Sequence, residues 1–388
     1  MKILHCCLAA FYIDGFGYQE NILPKIHKLQ GHDVKILAST ENYIDKTKFG
    51  YVLPGQYINE NGISVTRLPY VKWLPHFIGK KLRIYSGITR YLDDFKPDLI
   101  YLHNFQFISI TNIAVYAKKN KVKIVADSHT DFVNSGKSWV SEYILHKLIY
   151  KWCAKTIEKY TYKFFGTLPL RSKFLEEVYG IEKNKIELLP FGADDTLFDI
   201  NDKDKIKQEI RQQFNISDQD LVIITGGKID ARKNITALMQ AFLSLQNEFK
   251  YNNVKLLVFG KPVDALKEEI AKLAAHPDII YINWINSEVI YKYLLAADLG
   301  FFPGTHSVLW EQSVGLGLPC VFYKWEGITH VDVGGNCLFI NNANVSNIKD
   351  VLRQLIDDKD RYQKMKLLAQ TLGPQKFGYT KIATQAIN

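Results

Sequence analysis

Three glycine-flanked loops and two histidines hold most of the residues able to do chemistry in this 388-residue chain. The first loop is Thr225-Gly226-Gly227-Lys228-Ile229-Asp230-Ala231-Arg232-Lys233-Asn234. Its glycines clear space, and Lys228 and Lys233 can point to one side, where two ammonium groups suit a diphosphate. The alternative is a pair of solvated surface lysines. The second loop is Glu311-Gln312-Ser313-Val314-Gly315-Leu316-Gly317-Leu318-Pro319. An acid at a helix start accepts sugar hydroxyls beside backbone N–H groups that can hold phosphate. It can equally do no more than satisfy the helix dipole. The third loop, Asp14-Gly15-Phe16-Gly17-Tyr18-Gln19-Glu20, lets the backbone approach a phosphate at Gly15 and Gly17. It fails as a dinucleotide fingerprint because Glu20 stands at the third glycine, and a plain strand-to-helix turn is the competing reading.

His103 and His129 each close an apolar run, and the carboxyl ends of strands are where functional side chains gather. A lone histidine is usually structural; two at corresponding strand ends point to at least one facing a binding cleft. Asp131 follows His129 closely. Asp202/Asp204 and Asp218/Asp220 imitate metal-binding D-x-D pairs, but both flank a polar charged helix and read as solvated faces. No metal site is expected.

These loops need a scaffold. Apolar runs predict strands at Lys2–Leu8, Asp33–Ser39, Asp98–His103, Val122–Asp127, Phe164–Leu168 and Ile186–Leu189. Ile22, Ile26 and Leu29, at i, i+4 and i+7, predict one helix face, stopped by Gly31. The pattern then restarts with strands at Leu221–Thr225, Val254–Phe259, Ile279–Asn283, Asp298–Phe302 and Leu318–Tyr323. Ile235, Leu238, Met239, Phe242 and Leu245 form a helical stripe after the first of these. Strands alternating with helices imply an α/β protein of two doubly wound Rossmann-like domains facing a cleft. The expected boundaries are 1–190 for the first domain, 191–203 for a linker, 204–373 for the second domain and 374–388 for a terminal helix.

The composition fits two ordinary globular cores, with 22 Tyr, 22 Phe and 6 Trp, and excludes a disordered, collagen-like or disulfide-stapled chain. Charge is uneven. Residues 1–195 carry 27 Lys and Arg against 19 Asp and Glu, and residues 196–388 carry 22 against 21. A basic first half suits nucleic acid, a polyanionic substrate or an anionic bilayer. Cys6, Cys7, Cys153, Cys320 and Cys337 are scattered, without a C-x-x-C pair, and read as buried apolar residues in a reducing compartment. The run Met1–Tyr12 is interrupted by His5 and reads as a buried strand rather than a signal peptide. No stretch approaches the ~18 apolar residues of a spanning helix. A cytoplasmic protein is expected, peripheral at the inner membrane face. Lys147, Lys151, Lys155, Lys159 and Lys163, interleaved with Leu148 and Trp152, and the segment Val71–Arg83 with Trp73 and Phe77, suit an anionic bilayer surface. A core-facing amphipathic helix with a wet back is the competing reading.

In this order the loops resemble the GT-B fold retaining glycosyltransferases of family 4, over most of the chain. Leu29-Gln30-Gly31-His32-Asp33-Val34 resembles the G-H-x-V end of that family's first helix–strand unit. Pro190-Phe191-Gly192-Ala193-Asp194 with Phe198 resembles its P-x-G-x-D-x-x-x-F entry to the second domain. Gly227-Lys228-Ile229 with Lys233 resembles its donor loop, and Glu311 with Gly317 and Pro319 the second half of its E-x7-E motif. Phe377–Ala383 resembles the terminal helix that crosses back onto the first domain.

The resemblance implies that Lys228 and Lys233 clamp the donor diphosphate and that Glu311 holds the donor ribose. It also implies that His129 is the active-site histidine, with His103 and Asp131 as acceptor-side candidates. Gly15, Gly17, Gly227, Gly260, Trp284, His306, Ser307, Gln312 and Ser313 would complete the donor site. It implies retention of configuration, no metal, a nucleotide-diphosphate sugar as substrate, and UDP as the nucleotide. The sequence departs from the pattern at Pro303, where E-x7-E has its first acid, and at Lys228, where an arginine is usual. The expected function is transfer of a sugar to a glycan or lipid-linked acceptor, in surface polysaccharide or glycolipid assembly. The alternatives are a catalytically impaired GT-B protein acting as a binding subunit, an NAD-type oxidoreductase or epimerase, and, from charge alone, a nucleic-acid binder.

Overall fold

The computed structural model describes residues 1–44, 48–132, 140–199, 202–249, 251 and 253–388, with the side chains of 140–144 and 287 left aside. It divides into two compact units, Met1–Pro190 with Ile382–Asn388, and Phe191–Lys381.

In the first unit, β1 (Lys2–Cys7) pairs in parallel with β2 (Asp33–Ala38) on one side and β7 (Leu99–His103) on the other. Beyond β2 lie β6 (Ser64–Arg67), parallel, and β5 (Gly55–Ile58), antiparallel at the edge. Beyond β7 follow β8 (Lys123–Ser128), β9 (Thr161–Gly166) and β10 (Ile186–Leu188). A separate hairpin joins β3 (Glu41–Tyr43) and β4 (Phe49–Tyr51). Every residue of β1 after Lys2 is buried, because a parallel strand is covered on both faces. Those continuous apolar runs are what made the central strands readable. The short edge strands β3 to β6 lack them.

The helix Gln19–Leu29 corrects one expectation. Ile22, Leu23, Ile26 and His27 are buried, while Leu29 is 65% exposed. At about 100° per residue the buried stripe centres between Ile26 and Leu23, and Leu29 falls about a quarter-turn off it. The lysine run is corrected too. Residues Val140–Tyr150 form a π-helix that passes into the α-helix Lys151–Glu158. Lys159 caps that helix, and Lys163 lies on β9 paired with Glu187. Lys147, Leu148, Trp152 and Lys155 remain exposed.

The second unit is all parallel, in the order β13-β12-β11-β14-β15-β16. These strands are β11 (Leu221–Gly226), β12 (Val254–Phe259), β13 (Ile279–Ile282), β14 (Leu299–Phe302), β15 (Cys320–Tyr323) and β16 (Cys337–Ile340). The order is the 3-2-1-4-5-6 of a doubly wound sheet, and the first unit repeats it through β6-β2-β1-β7-β8-β9. Each sheet reverses direction beside its first strand, so the loops after β1 and β7, and after β11 and β14, flank its ligand-binding switch point. The helix Ile235–Phe249 buries Ile235, Leu238, Met239, Phe242 and Leu245 as the periodicity predicts.

The expected linker begins as ordered structure. Ala193 is buried, its N–H donates to Phe377 O (2.8 Å), and its carbonyl accepts from Tyr379 N–H (2.9 Å). Positions 200 and 201 lie outside the described residues. The long helix Lys359–Phe377 belongs to the second unit, and after Gly378 the helix Tyr379–Ile387 carries Ile382–Asn388 into the first. Among the described residues no helix is long and apolar enough to cross a membrane.

Candidate functional site

In the second unit, the ends of β11 and β12 touch backbone to backbone. A Cβ on Gly226 would press on the Phe259 ring, and one on Gly260, at φ +126°, would overlap the carbonyl oxygen of Gly227. Only glycine fits there. The chain then makes a 3₁₀ turn, Ala231–Lys233, capped by Asp230, whose carboxylate accepts from Arg232 N–H. The turn places Lys233 against the loop after β14. Its Nζ donates to Thr305 O (2.6 Å) and His306 O (3.1 Å), and Asn234 Nδ2 donates to Pro303 O (3.1 Å). Burial pulls the Lys233 ammonium down to about 8. Lys228 is exposed. The two lysines therefore differ: one is spent on loop carbonyls in this structure, the other stands in solvent. Ser307 lines the tight crevice between these two loops, together with Thr225 and Trp310.

Glu311 sits in the first turn of the helix Leu309–Gly315 and is fully buried. Its Oε1 accepts from Nε2 of both His306 (2.8 Å) and His330 (2.9 Å). Burial alone would raise its carboxyl, but the charges and hydrogen bonds of the two imidazoles outweigh it and hold it at about 2. Glu311 Oε2, His330 Nδ1 and Thr225 Oγ1 are buried without a hydrogen-bond partner among the described residues, and Ser313 is fully buried on the same helix as Glu311. Buried polar atoms are rarely left so, and such atoms are what a polar ligand would satisfy. Gln312 departs from expectation. Its backbone N–H is donated to Val308 O (3.0 Å), and its side chain to Tyr291 Oη (3.2 Å), so neither reaches for a phosphate here. Trp284 follows β13 and is 68% exposed. His330 has no motif around it and was invisible in the sequence.

The first unit holds a second buried carboxylate, Asp127 at the end of β8. Its Oδ1 accepts Asn104 N–H (3.0 Å) and lies 3.3 Å from His129 Nε2. Its Oδ2 is 3.0 Å from His103 Nδ1. Asn104, at φ +61°, accepts His129 N–H on its side chain (2.9 Å). Burial opposes the charge of Asp127, but His129 and His103 hold its carboxyl well below the ordinary range. Burial likewise lowers His129, but the charges of Asp127 and Glu20 prevail and raise it. His129 keeps some exposure; His103 has none. That corrects the expectation for His103: an acceptor cannot touch it. Asp131 is paired with Arg171 Nε at 3.2 Å. Gly15, at φ +73°, donates its N–H to Glu60 Oε1 (3.2 Å), and Gly17 is partly buried in the same loop. A cavity of about 500 Å³ in this unit is lined by Tyr51, Tyr70, Lys72, Leu74 and His76 among others. Asp127, Arg171 and Glu60 were missed because nothing in their spacing ties them to the histidines, the aspartate and the glycine they contact. The Asp-x-His of Asp127-Ser128-His129 at a strand end was the one available signal. Among the described residues no three His, Cys, Asp or Glu side chains are grouped to hold a metal ion.

A family model for the glycosyl transferases group 1 matches residues 206–371, and one for the glycosyl transferase 4-like domain matches residues 28–192, together most of the chain. The chain belongs to the group 1 glycosyltransferases. An uncharacterised glycosyltransferase of Methanocaldococcus jannaschii is 21% identical over 91% of this chain and 90% of its own. The alpha-monoglucosyldiacylglycerol synthase of Streptococcus pneumoniae is 22% identical over 75% of this chain and 64% of its own. In fold, this glycosyltransferase resembles the Anabaena protein HepE solved in complex with UDP, with a TM-score of 0.68 at 15% identity, covering 100% of this chain and 98% of that one. The two doubly wound sheets are those of a GT-B enzyme.

Proposed function

We propose that this glycosyltransferase takes a sugar from a nucleotide-diphosphate donor, a UDP-sugar, and passes it with retention of configuration to a glycan or lipid-linked acceptor. The observation that carries the donor site is the Glu311 carboxylate, whose Oε2 is buried without a hydrogen-bond partner among the described residues. A ribose hydroxyl donated to Oε2 would satisfy it, and the imidazoles on Oε1 keep the carboxylate ionised to receive it. Lys228 would meet the diphosphate directly. Lys233 would shape the 303–306 loop and lend its charge from behind it, neutralising the departing nucleotide. The fold neighbour solved with UDP supports that choice of nucleotide.

His129 would meet the transferred sugar or the acceptor hydroxyl, oriented by Asp127 and Asn104. The aromatic cavity beside Tyr51 and Tyr70 suits an acceptor sugar, whose C–H face packs on rings. A lipid-linked acceptor is favoured by the named lipid-synthesising relative and by exposed Trp73, Phe77, Leu148 and Trp152 among lysines. The enzyme would work in the cytoplasm against the inner membrane face, without a metal.

Thermal-shift titration with UDP, GDP and ADP tests the donor site. UDP should stabilise the protein, and Lys233→Ala should abolish the shift; a shift that persists in the variant overturns the role given to Lys233. Neutralising Lys147, Lys151 and Lys155 together should weaken partition onto anionic liposomes by about 1 kcal/mol per lysine while sparing nucleotide binding. Unchanged partition rejects the membrane part. One observation favours a second reading, an impaired enzyme serving as a binding subunit: Pro303 stands where the family has an acid, and its carbonyl is tied to Asn234. UDP-sugar hydrolysis by the isolated protein would exclude it.

A further inference from the structure

His103 does not end at Asp127. Its Nε2 lies 3.0 Å from His5 Nδ1, His5 Nε2 lies 2.9 Å from His27 Nδ1, and His27 Nε2 lies 2.8 Å from the carbonyl oxygen of Ala383. All three histidines are fully buried, on β7, on β1 and on the helix Gln19–Leu29. Ala383 lies in the C-terminal helix Tyr379–Ile387, on the part that belongs to the first unit, and is itself buried. The chain therefore runs from Asp127 through three imidazoles to the C-terminal helix.

Its protons can be counted. Both ends, a carboxylate oxygen and a carbonyl oxygen, only accept. Four short contacts between them need four protons, one in each. Three neutral imidazoles supply three. With three protons one contact would press two lone pairs together, so the seated chain holds a fourth. Only His103 touches an anion, and the fourth proton belongs there, shared with Asp127. This fixes the tautomers. His103 carries N–H on both nitrogens, and His5 and His27 each carry it on Nε2.

The surroundings allow that assignment. The Tyr101 ring stacks on His5 at 5.2 Å and lies 4.8 Å from His103. His129 and Glu20, with Arg171 behind, face the outer side of Asp127. Cys7, whose thiol burial pushes up so that it stays neutral, lies nearby with Arg67, and His32 stands beside His27 near the N-terminal amine. Burial lowers both His5 and His27, the latter to about 4, which agrees with neutral rings at those two places.

We propose that Asp127, His103, His5 and His27 share four protons only while the C-terminal helix offers the Ala383 carbonyl, so that seating of this helix sets the charge beside His129. When the carbonyl leaves, His27 Nε2 can become an acceptor. The N–H groups then shift one ring along, and the fourth proton goes to water. Asp127 then faces a neutral His103, and His129 is left as the one imidazole beside it that can carry the balancing charge. His103, His5 and His27 are thus positioning residues for His129, and this consequence rests on the active-site role proposed for it. The proton count itself does not.

Imidazole ¹⁵N NMR on the full-length protein, labelled in histidine and assigned with single His→Gln variants, reads each ring directly and needs no activity. The expected result at neutral pH is His103 with both nitrogens protonated and His5 and His27 as Nε2–H tautomers. In His27→Phe, two contacts remain for two protons. His5 should switch to its Nδ1–H tautomer, His103 should lose its extra proton, and the titration midpoint of His129 should move up. His27→Gln, which can still accept and donate in place of the ring, should leave His103 doubly protonated. Above neutrality, amide exchange of Ile382–Ile387, corrected for intrinsic rate, should speed up about tenfold per pH unit, the signature of one linked proton. A singly protonated His103 in the wild-type protein with protected 382–387 amides overturns the count. A His129 midpoint unmoved in folded His27→Phe, with the tautomers behaving as expected, overturns the link to the site while leaving the chain standing.

Discussion

Each unit buries one carboxylate between two imidazoles at the carboxyl edge of its sheet, and the two are wired differently. Glu311 takes both histidines on Oε1 and leaves Oε2 without a partner among the described residues. Asp127 uses both oxygens, with His103 on Oδ2 and Asn104 and His129 on Oδ1. A carboxylate with acceptor capacity to spare is arranged to receive something; a saturated one holds its neighbours in place. That contrast supports the roles proposed above, Glu311 as a ligand contact and Asp127 as the anchor of His129.

Several substitutions would break or sharpen that contrast. The largest effect is expected at the saturated site. Asp127→Ala leaves Asn104 N–H, His103 Nδ1 and His129 Nε2 without their buried acceptor, and urea unfolding should show a loss of about 3–5 kcal/mol. Glu311→Gln should be far milder in unfolding, because an amide oxygen can still accept both imidazole N–H groups. It should instead weaken UDP binding by about 1–3 kcal/mol, the worth of a charge-assisted hydrogen bond, measurable by titration calorimetry. Equal effects of the two variants on stability would erase the distinction.

The next effect is on acid stability. Glu311 is held at about 2, below its unfolded value of 4.5, so its contribution is present above pH 4.5 and is lost as pH falls towards 2. Some 3 kcal/mol should disappear over that window. In Glu311→Gln the loss should shrink by that amount, as acid titration followed by circular dichroism would show. The opposite sign applies to His129. Its raised value contributes stability that is complete below about 6.5 and lost as pH rises through the folded value. The smallest effect is expected from His330→Phe, which removes one of the two bonds on Glu311. The acidic limb of UDP binding should then move to higher pH with little change at neutrality, and an unmoved limb would remove His330 from the site.

Much of the scaffold could be read from the chain. The central strands announced themselves as continuous apolar runs because both faces of a parallel sheet are covered. Gly226 and Gly227 read as glycines that clear space, and the structure adds Gly260 and gives the reason in the contact between the ends of β11 and β12. Edge strands such as β5 and the short β16 carried no such run. The evenly spaced lysines suggested one long helix, but the helix ends at Glu158, and the repeat continues onto a strand where its spacing means nothing.

Local pattern determined the alternation of strands and helices, the glycine turns and the acid at the start of the Leu309–Gly315 helix, because each depends on neighbours a few residues away. Tertiary structure alone decided which histidine meets which carboxylate. His5 and His103 are 98 residues apart, His27 and Ala383 356 apart, and Glu311 and His330 19 apart. A hydrogen bond depends on distances of about 3 Å in space, and no periodicity along a chain encodes which strand ends will come within that reach.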